Sequence, residues 1–257
     1  MPQPNLSTMA GVTDRQRIDV ALVERGLAES RQKAQAMIMA GRVFVHDRPI
    51  DKPGQMIRES DPIEIRGLDM PYVSRGGLKL EEALRRFAID VAGRVCLDIG
   101  ASTGGFTDCL LQHGAARVYA VDVGYGQLAW KLRNDPRVIV IERTNIREMP
   151  QERIPEPVDV VTVDVSFISL KIVVPHILKW LAADGRIVVL IKPQFEVGKG
   201  LVGKGGVVRD EALHRQVIQT LATYFQTLGL TTADALPSPV LGPKGNREFL
   251  MELRYGS

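Results

Sequence analysis

Apolar positions change their spacing along the chain, and the changes mark its elements. Ile18, Ala21 and Leu22 recur at helical intervals and Gly26 closes that turn. Ser30 caps a second helix whose face is Ala34, Met37 and Ile38, ended by Gly41. Residues 42–45 alternate as a strand, Pro49, Pro53 and Gly54 punctuate, and residues 63–65 read as another strand. An α-α-β-β unit is therefore expected over residues 15–66, behind a flexible tail at 1–14. Residues 67–72 carry Gly, Asp and Pro and read as a linker. In residues 73–257 the texture changes: short apolar strands are expected at 95–97, 118–121, 138–141, 158–163 and 186–191. Helical patterns fall at 107–113, 128–132, 170–181 and 211–228, and a last strand at 249–253 pairs with one near 231–235. Strands buried on both faces and separated by helices predict an α/β fold with a seven-stranded, mostly parallel sheet covered on both sides. Ligands of such sheets sit at the carboxyl ends of the strands.

Composition narrows the classes without choosing one. An apolar fraction of 45% and a charged fraction of 25% over 257 residues are ordinary for a folded protein. No apolar run approaches a membrane span, and residues 1–13 lack the basic-then-apolar order of a secretory signal. Cys96 and Cys109 cannot build a disulfide framework, which fits a reducing cytoplasm. His46, His113, His176 and His214 stand in no metal-ligand spacing, so no metal is expected. The net charge of +3 permits a polyanionic partner. Residues 1–70 hold ten basic and ten acidic groups, so an RNA footprint there has to be a local patch.

The most informative motif is Leu97-Asp98-Ile99-Gly100-Ala101-Ser102-Thr103-Gly104-Gly105, a glycine-rich turn between a strand and a helix. A dinucleotide fold uses a similar turn. Asp98 discriminates: a carboxylate there repels a pyrophosphate and suits a ligand amino group, such as that of S-adenosylmethionine. Asp122 ends the next strand, in place to hold ribose hydroxyls of either ligand, and Asn145 follows the third strand, in place to read an adenine edge. S-adenosyl-L-methionine is the expected cofactor, with Gly100, Ser102, Thr103, Gly104 and Gly105 forming its loop. Residues 198–204 match the glycine and lysine spacing of a phosphate loop, but Gly205 stands where Ser or Thr would hold magnesium. Residues 196–206 read instead as a mobile basic loop near the site.

Four segments carry a family resemblance. They are Ser74 to Leu80, Val163-Asp164-Val165-Ser166-Phe167, Ile191-Lys192-Pro193-Gln194-Phe195-Glu196 and Gly245-Asn246-Arg247-Glu248-Phe249. In this order they resemble the FtsJ-type RNA ribose 2′-O-methyltransferases, whose Lys-Asp-Lys-Glu tetrad then falls on Lys79, Asp164, Lys192 and Glu248. Arg17-Ile18-Asp19, Ser30 to Ala34 and Ala40 to Val43 resemble the S4 type of RNA-binding domain. An S4 domain ahead of such a methyltransferase resembles the layout of the TlyA (hemolysin A) family. The resemblance implies a Rossmann-like class I methyltransferase acting on cytidine ribose in 16S and/or 23S ribosomal RNA. The expected partner is ribosomal RNA in ribosomal subunits, with no membrane, for a cytoplasmic monomer.

The chemistry is consistent with that implication. A lysine accepts a hydroxyl proton only when its pKa falls well below about 10.4, which burial and a second cation promote. Lys192 is the expected general base, Lys79 the neighbouring cation that polarises the hydroxyl or stabilises the alkoxide, Asp164 the group orienting both amines, and Glu248 a positioner of Lys79 or substrate. The leaving thioether is neutral, so the displacement needs no metal. Arg17, Arg31, Lys33, Arg42 and Arg75 are the expected RNA contacts. Two rival readings are a non-catalytic RNA-binding assembly factor and a membrane-lytic hemolysin, the latter disfavoured by the absence of a span, a signal and a strongly basic amphipathic helix.

Overall fold

Asp19 shows how the first unit closes. It has 0% exposed surface, yet it faces three donors. Arg17 reaches it at 2.9 Å and Arg31 at 3.1 Å, and Gln35 Nε2 donates to it at 3.1 Å. These donors come from β1 (Arg15–Arg17) and α2 (Arg31–Met39), while Asp19 opens α1 (Ile18–Glu24). One carboxylate therefore ties three elements together. The Ser30 hydroxyl accepts from the Lys33 amide and caps α2. Beneath the helices, β2 (Val43–Val45) pairs with β3 (Arg48–Pro49) and β5 (Ile63–Ile65), and β4 (Met56–Arg58) pairs antiparallel with β1. Ile18, Leu22, Ile38 and Val43 fill the interior. Strands β1 and β4 carry little apolar alternation, which is why the sequence pattern does not announce them.

The structure is a computed structural model that describes residues 15–39, 41–65, 70–198, 200–203 and 205–255. The tail expected at 1–14 lies outside these residues, as does the part of the expected linker at 67–69. The chain divides between Asp69 and Met70.

In the second unit every strand of the parallel sheet is apolar on both faces, and alternation decides which helix layer each side chain meets. The order of elements is α3 (Gly76–Arg86), β6 (Val95–Ile99), α4 (Gly105–Gln112), β7 (Arg117–Val121), α5 (Trp130–Arg133), β8 (Val138–Ile141), β9 (Val158–Val163), α6 (Leu170–Ile177), β10 (Leu181–Ile191), α7 (Pro193–Glu196), α8 (Glu211–Thr227), β11 (Leu230–Thr232), β12 (Leu236–Pro237) and β13 (Phe249–Tyr255). Seven strands run in the order β11-β13-β10-β9-β6-β7-β8, with the short β12 added against β13 as the eighth. Strands β10, β9, β6, β7 and β8 are parallel; β13 and β11 are antiparallel. Cys96, Val188 and Leu190 face Leu80, Leu84 and Leu110 of α3 and α4. Leu97, Ile187 and Val189 face Val173, Val217 and Phe225 of α6 and α8. Strand order reverses between β6 and β9, the switch point where ligands of such sheets bind.

Two expectations are corrected. The helix expected over 170–181 stops at Ile177, passes through a 3₁₀ turn at Leu178–Trp180, and β10 begins at Leu181. Pro175 explains the short helix, because it has no N–H for the Lys171 carbonyl. The Tyr224 hydroxyl of α8 donates to that carbonyl at 3.0 Å instead. In addition, residues 76–86 form a helix that the hydrophobic pattern does not predict. Gly76 and Gly77 are weak helix formers at its start, but Leu80, Ala83 and Leu84 bury one face of it.

Hydrogen bonding from Arg17, joined by Gln35 and Arg31, holds the Asp19 carboxyl well below the usual range, against the opposing effect of burial. A depressed carboxyl contributes stability that is present above its unfolded pKa of about 3.9 and is lost as pH falls through the folded value. Asp19→Asn should therefore loosen residues 15–65 at neutral pH and flatten their acid dependence below about pH 4. Amide exchange of α1 and α2 in the full chain measures both. An acid dependence identical to wild type would show that Asp19 does not carry it.

Candidate active site

The carboxyl ends of β6 and β9 nearly touch. A Cβ on Gly100 would stand 2.4 Å from the Asp164 carbonyl oxygen, and Gly100 has a φ of +84°. Glycine alone meets both conditions, so the turn after β6 can pass under Asp164. The Ser102 amide then donates to Asp122 Oδ2 at 2.8 Å, and the Gly124 amide to Oδ1 at 2.7 Å. Both bonds fix the Asp122 carboxylate at the end of β7 and leave lone pairs on each oxygen for a diol.

Two cavities meet along this edge. One of about 480 Å³ is lined by Asp122, Gln127, Asn145, Arg147, Val165 and Phe167. The other, of about 390 Å³, is lined by Arg75, Lys79, Lys192, Gly242 and Glu248. Gly100, Ser102 and Asp164 border both. Thr103 and Gly105 line the second.

The four residues of the expected tetrad converge on the second cavity as two ion pairs. Lys79 Nζ lies 2.5 Å from Glu248 Oε2, with side chains 11% and 0% exposed. Lys192 Nζ lies 2.6 Å from Asp164 Oδ1 and donates to Ser166 Oγ at 3.0 Å. This corrects the expectation that Asp164 orients both amines: it holds Lys192, while Glu248 holds Lys79. Two buried ammonium groups in one cavity each need a local counter-charge, since an unpaired buried charge is costly. Glu248 Oε1 is buried and has no hydrogen-bond partner among the described residues. An orphan acceptor at a cavity wall suits a donor from a bound molecule.

Elements around Lys79 explain its place. The Val73 amide donates to Asp108 Oδ2 at 2.8 Å, Lys131 pairs with the same oxygen at 2.9 Å, and Tyr72 donates to Glu81 at 3.0 Å. The Val73 contact pins the segment to α4 and the Tyr72 contact to α3, and Ser74 and Arg75 that follow line the cavity. Asp108, Ser166 and Gly242 were not singled out from sequence. Asp108 could have been, as an acid in the first turn of the helix that follows the glycine loop.

Other expected site residues are redistributed. Asp98 does not line either cavity. It has 0% exposure and accepts from Thr107 at 2.7 Å and Thr162 at 2.9 Å, so both oxygens are spent inside the sheet. Burial pushes its carboxyl up to about 6, with the two threonine bonds opposing. Gly104 also turns away, towards Leu128 and Leu132. Asn145 borders the larger cavity but its amide already serves Glu148 and Arg147. Of the expected RNA contacts, Arg17 and Arg31 are half exposed and bound to Asp19. Lys33 lies 3.8 Å from Glu29, Arg42 is half-buried, and Arg75 belongs to the cavity wall.

Residues 72–255 match the FtsJ-like methyltransferase model, and residues 16–63 match the S4 domain. The chain is 51% identical over 241 residues, 93% of its length and 90% of the relative's, to the 16S/23S rRNA (cytidine-2′-O)-methyltransferase TlyA of Mycobacterium tuberculosis. It is 45% identical to Hemolysin A of Brachyspira hyodysenteriae, over 91% of this chain and 98% of that one. A solved structure of a candidate hemolysin from Streptococcus thermophilus superposes with a TM-score of 0.74 at 42% identity, covering 96% of this chain and 90% of the other. With its glycine loop, its paired lysines and its preceding S4 unit, the chain belongs to the FtsJ-like methyltransferase family and to the S4-bearing TlyA group within it.

Proposed function

We propose that this protein transfers a methyl group from S-adenosylmethionine to the 2′-hydroxyl of a cytidine in ribosomal RNA, as a cytoplasmic monomer that needs no metal. The observation that carries the reading is the pair of ion pairs, Lys79–Glu248 and Lys192–Asp164, facing one cavity beside the glycine loop. The 51% identity to a protein named for that reaction supports the substrate.

The donor set fits the cofactor. Asp122 offers two fixed carboxylate oxygens to ribose hydroxyls, and Asn145 and Val165 border the space for a base. The bound cofactor supplies an electrophilic methyl group whose leaving group is a neutral thioether. What remains for the protein is to place and deprotonate a poor nucleophile. Lys192, oriented by Asp164 and Ser166, loses its ammonium proton to solvent and, as the neutral amine, accepts the 2′-hydroxyl proton. Lys79, held by Glu248, stabilises the developing alkoxide. Arg75 at the cavity wall takes a phosphate of the target strand. The S4 unit supplies RNA affinity through placed cations, because residues 1–70 as a whole carry no net charge.

Removing the proton acceptor should separate chemistry from binding. Lys192→Ala is expected to lower single-turnover methylation of RNA by about 10³-fold, with S-adenosylmethionine affinity unchanged by calorimetry. Retained turnover would exclude Lys192 as the base. Asp122→Ala is expected to weaken S-adenosylmethionine binding by about 10- to 100-fold; unchanged affinity would remove Asp122 from the ribose role. Labelled methyl transfer to isolated small and large ribosomal subunits, with the modified nucleotide mapped, tests the substrate. A methylated base in place of a 2′-O-methyl cytidine would overturn the ribose assignment. No methylation alongside lysis of red cells would favour the reading that the name of the Brachyspira relative suggests.

A further inference from the structure

Glu248 holds Lys79, but something has to hold Glu248. The turn before it, residues 238–247, has an unusual geometry: Lys244 and Gly245 both take positive φ, at 57° and 83°. A Cβ on Gly242 would stand 2.0 Å from Glu248 Oε1. The turn thus lies directly against the carboxylate that the lysine needs. A separate loop, between α7 and α8, returns past the same place, with Val207 and Val208 buried at 5% and 3% exposure.

One side chain joins the two. Asn246 is 3% exposed. Its Oδ1 accepts from the Val208 amide at 3.1 Å, and its Nδ2 donates to the Gly206 carbonyl at 3.0 Å and the Pro243 carbonyl at 3.1 Å. Its own carbonyl accepts from the Gly242 amide at 2.9 Å. Val208 is gripped from its other side as well: its carbonyl lies 2.9 Å from His214 Nε2 on α8, which must be the donor because a carbonyl only accepts. The His214 ring meets Phe249, the residue after Glu248, edge on at 5.4 Å. The loop that follows Lys192 and the turn that precedes Glu248 therefore share one buried carboxamide.

We infer that Asn246 is a positioning residue for methyl transfer: by latching the Gly206–Val208 loop to the Gly242–Glu248 turn, it fixes the Glu248 carboxylate that orients Lys79. This rests on the reading that Lys79 and Glu248 serve the reaction. The role requires both an acceptor and a donor on one planar group, which only an amide supplies here. It also predicts a particular kinetic split. Asn246 borders neither cavity, so its loss leaves ligand contacts in place and misplaces the pair that acts in the transition state.

The test uses the full-length protein with Asn246→Ala and Asn246→Asp. Asn246→Asp keeps shape and the Oδ1 acceptor but sets a carboxylate against two carbonyls. Both variants are expected to lose about 10²-fold in kcat, Asn246→Asp at least as much as Asn246→Ala, with KM for RNA and Kd for S-adenosylmethionine unchanged. Wild-type kcat in Asn246→Asp would overturn the latch, as would a loss of kcat matched by the loss of folded protein in thermal unfolding. Amide exchange gives a readout that does not depend on activity. The Val208 amide should exchange slowly in the wild type and fast in Asn246→Ala; equal protection overturns the inference. If the wild type methylates no RNA, the proposed function fails and the exchange experiment still decides the latch.

Discussion

Two largely buried ammonium groups line one cavity, and the rest of the second unit is arranged so that this is tolerable. Removing a charge from water is expensive unless a partner compensates it locally. Lys79 and Lys192 each have their own carboxylate, at 2.5 Å and 2.6 Å. The four residues lie far apart in sequence, and the sheet brings them together. Asp164 and Lys192 follow parallel strands directly, so they fall on the carboxyl edge. Glu248 precedes a strand, which would put it at the opposite edge if β13 were parallel. Strand β13 is antiparallel, with Ile191 paired to Phe249, so its beginning lies where β10 ends. The reversed strand next to β10 is what delivers Glu248 to the lysines.

Close approach is the second consequence. Four charged groups and a turn cannot fit at one edge with ordinary backbone spacing. Gly100 lets the loop after β6 pass within contact of Asp164, and Gly242 lets a turn lie on the Glu248 carboxylate. A methyl group at Gly100 would collide with the Asp164 backbone carbonyl, and one at Gly242 with the Glu248 carboxylate. Opposite, Tyr224 satisfies the carbonyl that Pro175 orphans, so α6 can end early and the chain can enter β10 at Leu181. The length of β10, eleven residues, carries Lys192 out to the edge.

Local information was readable in the sequence, and distant pairing was not. The glycine turn, the apolar strands and the order of the motifs depend on neighbours in the chain, and the observed sheet follows them. Charges were read as though each faced water. Asp98 has the place of a ligand-binding acid, but Thr107 and Thr162, nine and sixty-four residues away, take both its oxygens. Arg17 and Arg31 count as cations available to RNA until Asp19 is seen between them. Helix α3 was hidden by its two opening glycines, because the residues that stabilise it are those it packs on, Leu110 and Leu250 among them. The role of Asn246 is not legible from its neighbours, because two of its partners, Gly206 and Val208, lie forty and thirty-eight residues earlier.

Placement of Lys192 shows how rigid the edge has to be. On one side it is the residue after β10, whose ladders to β9 and β13 fix the backbone. On the other side α7 is one turn long and too short to hold itself. Its last residue, Glu196, reaches across to α6, accepting from the Leu170 amide at 2.8 Å and the Ser169 hydroxyl at 2.7 Å. Burial pushes the Glu196 carboxyl up, while those two bonds oppose it. A negative group at the start of α6 also answers the positive end of that helix. Lys192 is therefore held between a strand in mid-sheet and a carboxylate docked on the next helix. The gain from such double fixing is kinetic: a proton acceptor displaced by about 1 Å can lose 10²-fold in rate. A base on a free loop would have to find its place again in every turnover. Here the sheet and the helix cap set that place before any substrate arrives.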